Sequence, residues 1–85
     1  MKSLKNEIIA RICYTDLVYD RINKKLNSEL SNDKIEEIIG SVINETEESD
    51  FQQKGKNVYI TNKARNIRLT INSNTFRIIT ADRLK

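Results

Sequence analysis

Ile67-Arg68-Leu69-Thr70-Ile71-Asn72 is the stretch that decides the fold. Apolar and polar residues alternate along it without a break, the period-two mark of a strand with one buried face. On its C-terminal side, Ser73-Asn74 reads as a tight turn and Thr75-Phe76-Arg77-Ile78-Ile79-Thr80 as the last strand, which leaves Ala81–Lys85 unassigned. On its N-terminal side lies a polar loop, Asn62 to Asn66, preceded by the strand Val58-Tyr59-Ile60-Thr61. Gly55-Lys56 suits a type II′ turn, with Gly first, after a short strand Phe51-Gln52-Gln53-Lys54. Joins of two to five residues are too short for parallel crossovers, so the three or four strands form an antiparallel meander.

Upstream of Phe51 the hydrophobic period changes to that of a helix. Leu4, Ile8, Ile9 and Ile12, with Ser3 as N-cap, predict a first helix over about 3–12. Thr15 serves as cap for a second, over about 16–26. Its apolar stripe is Leu17, Val18, Ile22 and Leu26, and Arg21, Lys24 and Lys25 fall in its last turns. Asn27 to Leu30 is a loop. Ser31 caps a third helix, in which Ile35, Ile38, Ile39, Val42 and Ile43 hold the spacing i, i+3, i+4, i+7, i+8. Gly40 inside it costs about 1 kcal/mol relative to Ala, which predicts close packing of another element there. Helices followed by a meander predict an α+β fold, with three N-terminal helices packed on one face of the sheet.

Charge divides at the same point as the period. Residues 1–50 carry 7 Lys/Arg against 11 Asp/Glu, a net of −4, and residues 51–85 carry 8 Lys/Arg against Asp82 alone, a net of +7. The chain reads as one domain, 1–85, with an acidic helical layer and a basic sheet. A chain of 85 residues buries only roughly 60–65% of its unfolded surface, so the core has little to spare. With 38% apolar residues, 32% charged and two Gly, this is a folded composition. One cysteine, Cys13, excludes an internal disulfide and fits a reducing cytoplasmic setting. Glu7 and Arg11 interrupt any apolar leader, and no apolar run approaches the ~20 residues of a membrane span. Heavy use of Ile (13) and Asn (10), whose codons are AT-rich, points to an AT-rich bacterial or phage genome.

Strand alternation turns Val58, Ile60, Ile67, Leu69, Ile71, Phe76 and Ile78 toward the helices. Tyr59, Thr61, Arg68, Thr70, Asn72, Thr75, Arg77 and Ile79 take the other face. Tyr59, Arg68 and Arg77 on an open sheet supply a π face, phosphate contacts and stacking for RNA or single-stranded DNA. Lys54, Lys56, Lys63 and Arg65 in the adjoining turns widen the positive field. An ordinary wet face of an antiparallel sheet carries the same residue types, and one tyrosine falls short of an RNA-recognition motif.

Glu45, Glu47, Glu48 and Asp50 gather where the third helix ends, where the dipole disfavours acids by about 0.3–1 kcal/mol each. Two roles stay open. They form a solvated connector or pair with lysines of the first hairpin such as Lys54 and Lys56, or else they contact a basic partner or mimic a phosphate backbone. Their spacing fits no calcium loop, and the absence of His removes the common zinc sites and the His-based nucleophile pairs, so neither metal nor cofactor is expected. Helix-in-groove DNA reading is disfavoured, because Glu36, Glu37 and Glu45 occupy the third helix. Cys13 reads as a small buried apolar residue.

Asn74-Thr75-Phe76-Arg77-Ile78-Ile79 resembles the C-terminal strands of RelE-like messenger-RNA endonuclease toxins, some of which work with Lys, Arg and Tyr. That family opens with a strand, however, and no catalytic residue is carried over. Ile12–Tyr19 with Arg21–Leu26, and Ile67–Arg83, resemble a family of short domains of unknown function common in bacterial Firmicutes. That resemblance implies a source and a compartment and no activity. Three function classes remain. The first is a small regulator engaging a protein partner or a second copy through the acidic cluster, the basic face or a sheet edge, such as a mobile-element or phage-type inhibitor. The second is a binder of RNA or single-stranded DNA, and the third is a RelE-like ribonuclease.

Overall fold

The computed structural model describes residues 3–84, so Lys85, part of the unassigned C-terminal stretch, lies outside it. Three helices come first: α1 (Leu4–Arg11), α2 (Asp16–Leu26) and α3 (Asn32–Glu45). A single 3-10 turn, Glu48–Asp50, leads into four strands: β1 (Phe51–Lys54), β2 (Asn57–Asn62), β3 (Ile67–Asn72) and β4 (Ile78–Arg83). They pair in sequence order, antiparallel throughout. This is an α+β chain of helices followed by a meander.

The helix starts follow their caps. The Ser3 hydroxyl accepts from Asn6 N–H at 3.0 Å and the Ser31 hydroxyl from Lys34 N–H at 3.2 Å, each filling one orphan donor of a first turn. Thr15 occupies the cap position of α2 but its side chain makes no capping bond. Asn27 ends α2 in the left-handed region, at φ 54°. Asn23 then holds the following loop, accepting from Leu30 N–H and donating to Leu30 O, both at 2.9 Å.

One buried cluster joins Ile8 of α1, Val18, Ile22 and Leu26 of α2, and Ile35, Ile39, Val42 and Ile43 of α3 to Val58, Ile60, Leu69, Ile71, Phe76, Ile78 and Ala81. The core-facing assignments in β2 and β3 therefore follow the alternation. Three positions do not behave as read. Ile9, placed in the apolar stripe of the first helix, stands 44% exposed on α1. Leu17 stands 76% exposed on the first turn of α2 rather than in its apolar stripe. Gly40 is exposed, and a Cβ built on it would meet nothing within 4 Å, so no element packs over it.

The last strand departs most from its expected position, running over 78–83 instead of 75–80. Residues 73–77 form a longer corner in which Phe76 adopts φ 59°. Cys13, in the join between α1 and α2, reaches this corner and forms a parallel bridge. Its N–H donates to Phe76 O (2.9 Å), and Ile78 N–H donates to Cys13 O (3.0 Å). The Phe76 ring, 6% exposed, lies under the Arg11 guanidinium, 4.8 Å from the ring centroid. Cys13 itself is exposed, not buried: its thiol lies on the surface of the corner, donating to Thr75 O at 3.6 Å. Ile79 is an extra residue opposite the Thr70–Ile71 step, a β-bulge. The bulge changes the parity after Ile79, so Ala81 enters the core while Thr80 and Asp82 stand opposite Thr70 and Arg68.

Candidate functional site

The strand register arranges the sheet face bearing Tyr59 into three rows. Gln52, Tyr59, Thr70 and Thr80 form the middle row. Thr61, Arg68 and Asp82 form a row toward the β2–β3 turn, and Lys54, Asn57 and Asn72 one toward the β1–β2 turn. Gly55, at φ 59°, with Lys56 at negative φ, makes the β1–β2 join a type II′ turn. That turn fixes the register that sets Lys54 opposite Asn57 and Gln52 opposite Tyr59.

In the centre is a depression of about 260 Å³ lined by Gln52, Lys54, Tyr59, Thr61 and Arg68. Tyr59 is half-buried, while Gln52, Lys54 and Arg68 are exposed. None of the Tyr59, Lys54 and Arg68 side chains hydrogen-bonds to another described residue. Thr70 beside them is 7% exposed, so the floor of the face is partly covered by its own neighbours. Thr80 Oγ1 is buried without a hydrogen-bond partner among the described residues.

The cations proposed from the sequence separate into two groups. Lys54, Lys56 and Arg77 share one end of the sheet: Ser73 N–H donates to Lys56 O (2.7 Å) and Asn72 N–H to Arg77 O (2.9 Å). Arg68 lies four residues away from Asn72 along β3, roughly 13 Å at strand rise. It shares the other end with Lys63 and Arg65. Arg77 precedes β4 rather than lying within it, so Arg68 and Arg77 do not form one cationic pair. Arg68 instead has Asp82 cross-strand, whose carboxylate meets Lys25 Nζ of α2 at 3.6 Å. Sequence periodicity missed Asp82 because the bulge that brings it to this face leaves no local signature.

The acidic cluster also finds an unexpected partner. Glu45 takes both donors of Arg65 in a two-pronged pair, at 3.1 Å from Nε and 2.7 Å from Nη2. The expected partners, Lys54 and Lys56, lie at the far end of the sheet. Arg65's hydrogen bonds hold the Glu45 carboxyl below its ordinary range, and Glu45 in turn pushes the guanidinium up. Arg65 is therefore committed to α3 and does not extend the cationic face. Glu47, Glu48 and Asp50 have no cationic partner among the described residues. Glu45, Glu47 and Asp50 line a second, polar depression of about 290 Å³ with Thr61, Asn62 and Lys63. No group of three or more metal-ligating side chains occurs among the described residues.

Two polar devices that sequence reading missed anchor this end. Lys5 of α1 donates to Asn44 O and Thr46 O, both at 2.8 Å, which places a cation on the C-terminal carbonyls of α3 and offsets the acids there. Asn62, read as part of a polar loop, is buried. It donates to Thr46 Oγ1 (3.0 Å) and accepts from Arg65 N–H (2.9 Å), joining the β2–β3 turn to the end of α3.

Fold and surface together define a small α+β protein whose sheet carries one tyrosine-centred polar face. The chain belongs to the family described as Protein of unknown function (DUF3781), whose model matches residues 6–82, including nearly all of the two stretches that carry the sequence resemblance. Neither the curated proteins nor the solved structures contain a match to it. No helix among the described residues is long and apolar enough to cross a membrane.

Proposed function

We propose that the protein acts by binding, and that the sheet face around Tyr59 takes a single-stranded nucleic acid. The helices cover the opposite face, so this one is left for a ligand. The observation carrying the reading is the depression in which Tyr59 is flanked by Lys54 and Arg68. An aromatic ring between two cations offers a base a stacking surface and a phosphate its counter-charge. The charge map also gives a direction. Glu47 and Asp50 repel phosphate at one end, while Lys54, Lys56 and Arg77 gather at the other. A strand stacked on Tyr59 therefore runs toward the β1–β2 turn. The setting proposed is the cytoplasm of a bacterium of the Firmicutes, as the sequence resemblance implies.

Fluorescence anisotropy with mixed-sequence RNA and DNA oligonucleotides tests this. Binding is expected at low salt and falls steeply as salt rises. Tyr59→Ala weakens it by about 1–3 kcal/mol. Replacing Arg68 and Arg77 together abolishes it, and Lys54→Gln flattens the salt dependence. Absence of binding to every pool at low salt, or binding indifferent to Tyr59→Ala, overturns the reading. A protein partner is the second reading. It is favoured by β1, an edge strand with a strand partner on one side only, whose first N–H, that of Phe51, is taken by Glu48 O.

A further inference from the structure

Beside the C-terminal end of α2, the helix side of the sheet is left partly open. A depression of about 310 Å³ lies there, floored by Leu26 of α2, Leu30 of the following loop, Ile38 of α3 and Ile67 of β3. Leu30, Ile38 and Ile67 are only half-buried, although each packs against the core. Ser28, Arg65 and Arg83 supply the polar part of the lining. We infer that this depression binds a compact amphiphilic carboxylate, an apolar chain or ring bearing one negative charge, and that Arg83 takes the charge. The Tyr59 face is on the other side of the sheet, and the inference does not depend on what that face binds.

The walls are built before any ligand arrives. Arg83 stands cross-strand from Ile67, so both side chains take the helix side of the sheet. Arg83 Nη2 donates to Leu26 O at 2.8 Å, which leaves its other guanidinium N–H groups for a ligand. The loop between α2 and α3 is tied down as well. Ser28 N–H donates to Asn23 O (2.8 Å) and the Ser28 hydroxyl to Asn23 Oδ1 (3.0 Å), beside the two Asn23–Leu30 bonds. Binding to a site held in this way costs little ordering. The volume falls at the small end of the usual range for small-molecule sites, about 300–1,000 Å³, and an apolar floor with few polar groups is their usual lining.

Charge fixes the class of ligand. Glu45 already answers the Arg65 guanidinium. Arg83 pairs with no carboxylate among the described residues, and Glu29 of the same loop is outside the lining. The Ser28 hydroxyl proton is given to Asn23. One uncompensated cation above an aliphatic floor matches one anionic head on an apolar body. The carbonyl end of α2 would by itself repel that head. Arg83 sits on the Leu26 carbonyl and reverses the sign there, with a planar fork that fits a carboxylate. A nucleic-acid strand does not suit this lining, which holds no aromatic ring for a base and no second uncompensated cation for the next phosphate.

Hexanoate, hexan-1-ol and hexylammonium share one tail and differ in the charge of the head. Each is titrated into the full chain and read by amide shifts in proton–nitrogen NMR spectra. Hexanoate is expected to shift the Leu26, Ser28, Leu30 and Ile38 amides and to saturate with a Kd of about 1 mM or tighter, what ~8 non-hydrogen atoms give at ordinary ligand efficiency. Hexan-1-ol moves the same amides with an affinity lower by at least ~tenfold, and hexylammonium binds more weakly still. These three titrations use the wild type, so they decide the matter even where a variant fails to fold. Arg83→Gln lowers hexanoate to the affinity of hexan-1-ol and leaves hexan-1-ol unchanged, which reports intact walls. Arg83→Lys restores part of the loss. Ile38→Gln weakens hexanoate and hexan-1-ol alike, several-fold. Hexanoate that binds no tighter than hexan-1-ol, shifts centred on Tyr59 in place of these amides, affinity indifferent to Arg83→Gln, or no saturation up to about 10 mM overturns the inference.

Discussion

Gly40 shows how one residue misleads. Glycine inside an apolar helical stripe reads as a close approach, yet this one faces open space on α3. Nothing therefore offsets its backbone entropy, and Gly40→Ala is expected to stabilise the fold by about 0.5–1 kcal/mol, read as a higher urea midpoint with unchanged slope. Tyr14 carries a different signal. Its ring stacks on Tyr19, with centroids 5.7 Å apart, and the Tyr19 hydroxyl donates to Glu36 Oε2 at 2.9 Å. Burial first, then the negative charges of Glu36 and ionised Tyr19, push the Tyr14 phenol far above its ordinary 10.0. In the unfolded chain it loses its proton near that ordinary value while the folded chain keeps it. Stability is thus whole below pH 10.0 and falls as pH rises beyond it. Tyr14→Phe cannot ionise, so its urea midpoint should decline less between about pH 9 and 11 than that of the wild type. Some slope remains, because Tyr19 is raised as well.

Elements were legible where their pattern is local. The caps Ser3 and Ser31, the 3.6-residue stripe of α3, the Gly-first turn and the alternation of β3 lie in contiguous sequence, and each appears within a residue or two of its expected bounds. β4 was displaced by three residues because its start is set from elsewhere. Cys13, more than sixty residues upstream, supplies the backbone partners that hold Phe76 and Ile78, and a left-handed phenylalanine has no sequence signature. The site divides the same way. Tyr59, Lys54 and Arg68 meet because each is fixed by a neighbouring strand. Arg77 and Asp82 were misplaced or missed because a corner and a bulge intervene. The end of α3 belongs with the illegible part: four acids at its C-terminus read as a liability, and the cations that answer it come from elsewhere, Arg65 on Glu45 and Lys5 of α1 on the terminal carbonyls. Lys5→Met keeps the alkyl stem and removes that charge. It is expected to cost about 0.3–1 kcal/mol at low salt, and less as salt rises, in paired thermal melts.

The molecule as a whole is small enough that magnitudes decide which substitutions can be interpreted. At roughly 0.05–0.15 kcal/mol per residue, 85 residues hold about 4–13 kcal/mol in total. α1 is anchored by a single buried side chain, Ile8, which is 0% exposed, and α1 leads directly into the Cys13 bridge that closes the β4 edge. Ile8→Ala creates a cavity worth about 2–5 kcal/mol, a large fraction of that total. At about 4–8 °C per kcal/mol, the melting temperature should fall by at least about 8 °C. Protection of the Ile78 amide, which donates to Cys13 O, should fall with it in hydrogen exchange. Arg68→Ala, on an exposed side chain with no bonded partner, should stay within about 0.5 kcal/mol of wild type. The contrast gives the surface variants their meaning. If Arg68→Ala melted like Ile8→Ala, Arg68 would belong to the packing of the sheet, and lost binding in that variant would report unfolding. If the two separate as expected, lost binding reports the face itself.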